Sequence, residues 1–147
     1  MANNSKTVSQ FVEAIGSDAI PRMARMLLVD KTITDINIKD STWHDGTALH
    51  HQSQYGTTGS VAWLLLQDPP PDINVRDSYL QTTPLMRAVM IGSKDPEGKV
   101  RLLLDHGADR DLKNKWGNTA LDDARYNFHY KPAVIDRLEN YRPNVSR

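Results

Sequence analysis

The sequence predicts an all-α protein, a solenoid of short helical units stacked in a row. Three observations predict it. The tetrad TALH at residues 47–50 returns as TPLM at 83–86 and as TALD at 119–122, a constant interval of 36 residues. A second series, DINIKD at 35–40, DINVRD at 72–77 and DRDLKN at 109–114, recurs every 37 residues. A third pairs VAWLLL at 61–66 with VRLLLDHGAD at 100–109. So short a segment cannot bury its own apolar side chains, and the nearest matching surface is a copy of itself.

The three motifs, in this order, resemble the ankyrin repeat. That resemblance implies a hairpin-like finger, a first helix opened by T-P-L-H-x-A, a second helix carrying V-x-x-L-L, and G-A-D before the next finger. It is close over about residues 35–139 and weaker over 7–30. It implies one ankyrin-repeat domain over residues 1–147, with units at about 5–40, 41–77, 78–114 and 115–142 and a frayed tail at 143–147. The family's unit is about 33 residues long, and here the additional residues fall in turns. SKDPEG lengthens the inter-helix turn of the third unit, and QDPPP extends the end of the second unit's second helix. A stacked core tolerates insertions at such places.

In chain order, the pattern predicts an N-terminal helical pair at about 7–16 and 18–30, with Phe11, Val12 and Ile15 on one inner face and Met23, Met26, Leu27 and Leu28 on another. Helix pairs follow at about 47–55 with 58–67, 83–91 with 97–106, and 119–127 with 131–140. Thr47, Thr83 and Thr119 can cap the first helices, Pro84 fits a first helical turn, and Leu49, Leu85 and Leu121 point to the core beside Leu65, Leu104 and Leu138. Gly107 suits a left-handed helix end. Asp136, Arg137, Glu139 and Asn140 give the last helix the polar outer side that a terminal unit needs.

Composition excludes several function classes. Eighteen basic and eighteen acidic residues leave no net charge, which removes a broad pull toward nucleic acid or anionic lipid. There is no cysteine, hence no disulfide, thiolate nucleophile or cysteine metal site. The start MANNSKTVSQFVEAIG lacks the features of a signal peptide, and no run suits a membrane span, so an intracellular, cytoplasmic or nuclear monomer is expected. GSKDPEGKV fails as a phosphate-binding loop, with five residues between its glycines instead of four and Val100 where Ser or Thr is needed. DRDLKNKWG fails as a calcium loop, with Lys113 at a ligand position and Ala120 in place of the final Glu.

His44, His50 and His51 cluster with Asp45 in WHDGTALHH. Imidazoles with a carboxylate suit zinc or copper, so a small metal-dependent enzyme using His44, Asp45, His51 and His129 is one reading. Against it, adjacent helical residues point about 100° apart. The resemblance gives His50 a structural role, its ring bonded to neighbouring turn backbone, and leaves His44 and His51 facing solvent or a partner. Gln52 and Ser53 depart from the small apolar pair that the repeat expects there. Trp43, Tyr79 and Trp116 fall at successive finger tips, with Leu80 beside Tyr79, while Tyr55, Met90, Ile91 and Tyr126 fall near the ends of first helices. Trp63 reads as core. The resulting expectation is a non-catalytic module with no cofactor, an adaptor, scaffold or inhibitor. It binds another protein through Trp43, His44, His51, Tyr55, Tyr79, Leu80, Met90, Ile91, Trp116 and Tyr126, and neither nucleic acid nor membrane.

Overall fold

In a computed structural model, which describes residues 4–127 and 131–143, helices pair and stack as the repeat predicts. The first unit comprises α1 (Ser5–Val12) and α2 (Ala19–Ala24), the latter continued by a π-helical turn at Arg25–Val29. The others pair α3 (Ala48–Tyr55) with α4 (Thr58–Leu65), α5 (Pro84–Ala88) with α6 (Pro96–Asp105), and α7 (Ala120–Asn127) with α8 (Pro132–Asn140). First helices pack in the row α1, α3, α5, α7, and second helices in the row α2, α4, α6, α8. The only sheet-like pairing among the described residues is the bridge between Asp40 and Gly46 at the first finger.

Each recurring residue has a mechanical task. Asn37 Oδ1 accepts from the Asp72 backbone N–H at 2.6 Å, and Asn74 Oδ1 from the Asp109 N–H at 2.8 Å, so the DIN series stitches each unit to the next. Fingers are closed by Asp40, Asp77 and Asn114, whose Oδ1 atoms accept backbone N–H groups two residues on. These are Asx turns, in which a short side chain replaces a backbone partner. Thr83 Oγ1 accepts from Met86 N–H at 3.3 Å and Thr119 Oγ1 from Asp122 N–H at 3.3 Å, the caps that the tetrads predict. Gly107 adopts φ 91°, as a left-handed helix end requires.

The core runs the length of the stack. Leu49, Leu85, Leu65, Leu104 and Leu138 are buried, but Leu121 is only half-buried because no further unit covers α7 among the described residues. The N-terminal pair also differs from expectation: Phe11, Val12 and Met23 are buried, Met26 and Leu27 pack at the core's edge, and Ile15 and Leu28 are exposed. Trp63 is half-buried against the core. α5 is shorter than predicted, because its last turn tightens into bonds from Val89 N–H to Met86 O and Met90 N–H to Arg87 O before Gly92 turns the chain at φ 87°. SKDPEG is pinned down: Asp95 caps α6 through Gly98 N–H and accepts from Thr58 Oγ1 at 2.6 Å.

Leu85→Ala is expected to lower the unfolding free energy by about 2–5 kcal/mol, since it opens a cavity in mid-stack. Urea denaturation followed by circular dichroism measures it. An unchanged midpoint would be incompatible with one continuous core.

Candidate partner-binding face

The fingers are joined edge to edge. Ser78 N–H donates to His44 O at 2.8 Å, and Lys115 N–H donates to Leu80 O at 3.0 Å. Along this edge the His44 ring stacks on Tyr79 with centroids 4.6 Å apart, and the Lys115 ammonium lies 5.2 Å from the Tyr79 ring and 5.5 Å from the Trp116 ring. Aromatic faces are electron-rich, so both lysine contacts favour the ammonium.

Beside the fingers, the ends of the first helices border two grooves. One, of about 560 Å³, is lined by Ile15, Gly16, His51, Tyr55, Gly92 and Lys94. The second, of about 550 Å³, gathers Leu80, Met90, Trp116 and Tyr126 with the polar side chains of Asn118, Asp123 and Asn127. Ile91 lies in the chain between Met90, which lines one groove, and Gly92, which lines the other, and is itself exposed. Tyr79, Trp116, Ile91 and Tyr126 are exposed by 56%, 62%, 76% and 83%, far beyond what a packed aromatic or aliphatic residue shows.

A model of ankyrin repeats, three copies, matches residues 49–136. The chain belongs to the ankyrin-repeat family. Ankyrin repeats are generally protein–protein interaction modules and typically non-catalytic. No curated protein matches the chain significantly.

Within the ankyrin stack, the sequence-predicted residues divide into two groups. Tyr55, Leu80, Met90, Trp116 and Tyr126 line the grooves, His44 and Tyr79 sit on the finger edge, Ile91 is exposed between Met90 and Gly92, and Ile15 joins them from the terminal unit. Trp43 and His51 have internal partners. The Trp43 ring covers Gly46 so closely that a Cβ there would strike it, and it packs edge-on to His51 at 5.1 Å and Tyr55 at 6.5 Å. The Arg87 guanidinium lies 4.8 Å from the Trp43 ring centroid. His51, expected to face solvent or a partner, is buried, because Trp43 and Tyr55 close over it. Burial and the nearby Arg87 push its imidazole down to about 4. His44 is held on Tyr79 instead, so the two histidines do not converge. Among the described residues no group of three or more His, Cys, Asp or Glu is arranged to hold a metal ion, and His129 lies outside them.

His50 takes the role that the repeat assigns it. Nδ1 accepts from Thr47 N–H at 3.1 Å, which leaves Nε2–H to donate to Thr82 O at 2.9 Å. Burial pushes its ring down to about 4, so it is neutral at pH 7.

Sequence reasoning missed a ladder of polar pairs beneath the grooves. Each tetrad is followed by one residue, His51, Arg87 or Asp123: Arg87 pairs with Asp77 and Asp123 accepts from Asn114, while His51 is reached only by the charge of Asp40. In the third unit this is a buried ion pair, Arg87 Nη2 to Asp77 Oδ2 at 2.9 Å, completed by Thr82 Oγ1–H to Asp77 and Arg87 Nη1–H to Gln54 Oε1. Burial alone would raise the Asp77 carboxyl, but hydrogen bonds from Thr82, Leu80 N–H and Arg87 hold it below its ordinary value. The second unit is poorly satisfied: His51 Nδ1, Gln52 Oε1 and Ser53 Oγ are buried without a protein partner, while Asp40 is held by Thr42, Ser9 and Glu13. The common interval, residues 51, 87 and 123, was the signal available in the sequence.

Proposed function

We propose that this ankyrin domain is a non-catalytic adaptor, scaffold or inhibitor that binds another protein through its finger edge and the grooves beside it, as a monomer inside the cell. One observation carries the reading: Tyr55, Tyr79, Ile91, Trp116 and Tyr126 are exposed on a face that the stack itself does not use. Soluble monomers rarely keep such apolar surface without a partner. The balance of 18 basic and 18 acidic residues supports a protein partner over nucleic acid, which requires an excess of cations. No helix among the described residues is long and apolar enough to cross a membrane.

Crosslinking in native lysate identifies the partner, and a variant series then tests the face. Tyr79→Ala combined with Tyr126→Ala should weaken binding of the purified partner by at least about 2 kcal/mol, because aromatic anchors carry most of an interface's energy. Helical content and urea midpoint should stay near wild type, since both rings are more than half exposed. Trp43→Ala should behave differently and lower the midpoint, because its ring closes over His51. Unchanged affinity of the tyrosine variant would move recognition off this face.

A further inference from the structure

We propose that the groove between the third and fourth units receives a cationic side chain, Lys or Arg, presented next to an apolar residue on the partner protein. The inference rests on the partner-binding reading and specifies its chemistry at one position.

The argument starts from a reversal of charge. At the finger leading into the third unit stands a carboxylate, Asp77, and on that unit's first helix a guanidinium, Arg87, closed at 2.9 Å. In the fourth unit the same positions hold Asn114 and Asp123. The carboxylate has moved from finger to helix, and its cation is gone. Asp123 receives two long bonds from neutral amides, 3.3 Å from Asn114 Nδ2 and 3.4 Å from Asn118 Nδ2. Neutral amides compensate a half-buried carboxylate weakly compared with a cation. Burial raises its carboxyl above the ordinary value, opposed by the Asn118 bond and assisted by the charge of Asp122.

Neighbouring cations are engaged elsewhere. Arg125 pairs with Glu139 at 2.6 Å, Lys115 lies over the rings of Tyr79 and Trp116, and the charges of Lys113 and Arg125 bear on Asp122, which itself caps α7. No Lys or Arg forms an ion pair with Asp123 among the described residues. The groove that Asp123 lines also presents Leu80, Met90, Trp116 and Tyr126, with Thr82 and Asn127 among its polar side chains. Long cationic side chains match such a wall, since their aliphatic stems pack on apolar surface, their heads favour aromatic faces, and the terminal charge meets the carboxylate. An acidic segment would meet Asp122 and Asp123 with like charge, and a purely apolar knob would leave Asp123 further desolvated.

The test is a titration of the isotope-labelled, full-length protein with acetyl-Leu-Arg-amide, acetyl-Leu-Gln-amide and acetyl-Leu-Glu-amide, read by NMR at the Trp116 indole and the Asn118 and Asn127 side-chain amides. Acetyl-Leu-Arg-amide should bind on the order of fivefold more tightly than acetyl-Leu-Gln-amide, with acetyl-Leu-Glu-amide weakest. Asp123→Asn should abolish the preference for arginine at an unchanged melting temperature. Raising the salt to about 0.5 M should do the same in the unmodified protein, which keeps the test valid if the variant is unstable. Equal binding of all three peptides, or a preference for the glutamate peptide, overturns the inference and leaves the partner-binding face standing. Failure of every peptide to shift the groove resonances also overturns it, and the face is then judged by the tyrosine variants alone.

Discussion

Asp77→Ala is expected to lower the unfolding free energy by about 3–5 kcal/mol, the cost of leaving a buried cation without its partner. Arg87 has little alternative, since its side chain is only 8% exposed and enclosed by Trp43, Gln54 and Thr82. Asp77 also closes its finger through Tyr79 and Leu80 N–H groups at 3.1 and 2.9 Å, so the same change loosens the Tyr79 tip. Chemical denaturation near pH 7 measures the loss. Asp77→Ala combined with Arg87→Met should recover much of it, because removing both charges removes the uncompensated one. A single variant within about 1 kcal/mol of wild type would mean that the pair is not desolvated in solution.

Mild acid should destabilise the stack well before the carboxylates titrate. His50 and His51 are held neutral, with folded values of about 4 against an ordinary 6.5. Between those values the unfolded chain binds more protons than the folded one, so stability falls as pH drops through that window. Each histidine contributes on the order of 1 kcal/mol per pH unit, giving a loss of several kcal/mol by pH 4. Asp77 and Asp40, both lowered, add a further loss as pH falls below their unfolded values. Urea midpoints recorded from pH 7.5 to 4.5 provide the check, and His51→Leu should make the slope shallower. A flat profile across this range would show that both rings protonate without leaving the core.

Much of the fold was legible in the sequence because its signals are local. A Thr cap reaches backbone three residues ahead, an Asx turn two, and Gly107 answers to its own φ. Repetition then supplied the pairing of the helices and the role of His50. Finger and helix-end positions follow from register, which puts Tyr55, Leu80, Met90, Trp116 and Tyr126 along the grooves and His44 and Tyr79 on the finger edge. Ile15, Leu28, His51 and Leu121 were misplaced for one shared reason. A periodic pattern assigns every unit the same surroundings, whereas burial depends on which neighbour covers it.

By itself, then, the sequence determined the order of the helix pairs and the caps of their first helices, which are short-range or register-bound. Only the tertiary structure decided the surroundings of residues 51, 87 and 123: an imidazole closed under Trp43, an ion pair with Asp77, and a carboxylate that lines a groove with no ion pair among the described residues. The physical reason is that a charge's environment is set by groups brought together from residues far apart in the chain, and its free energy depends on their distance and desolvation rather than on its own position in the repeat.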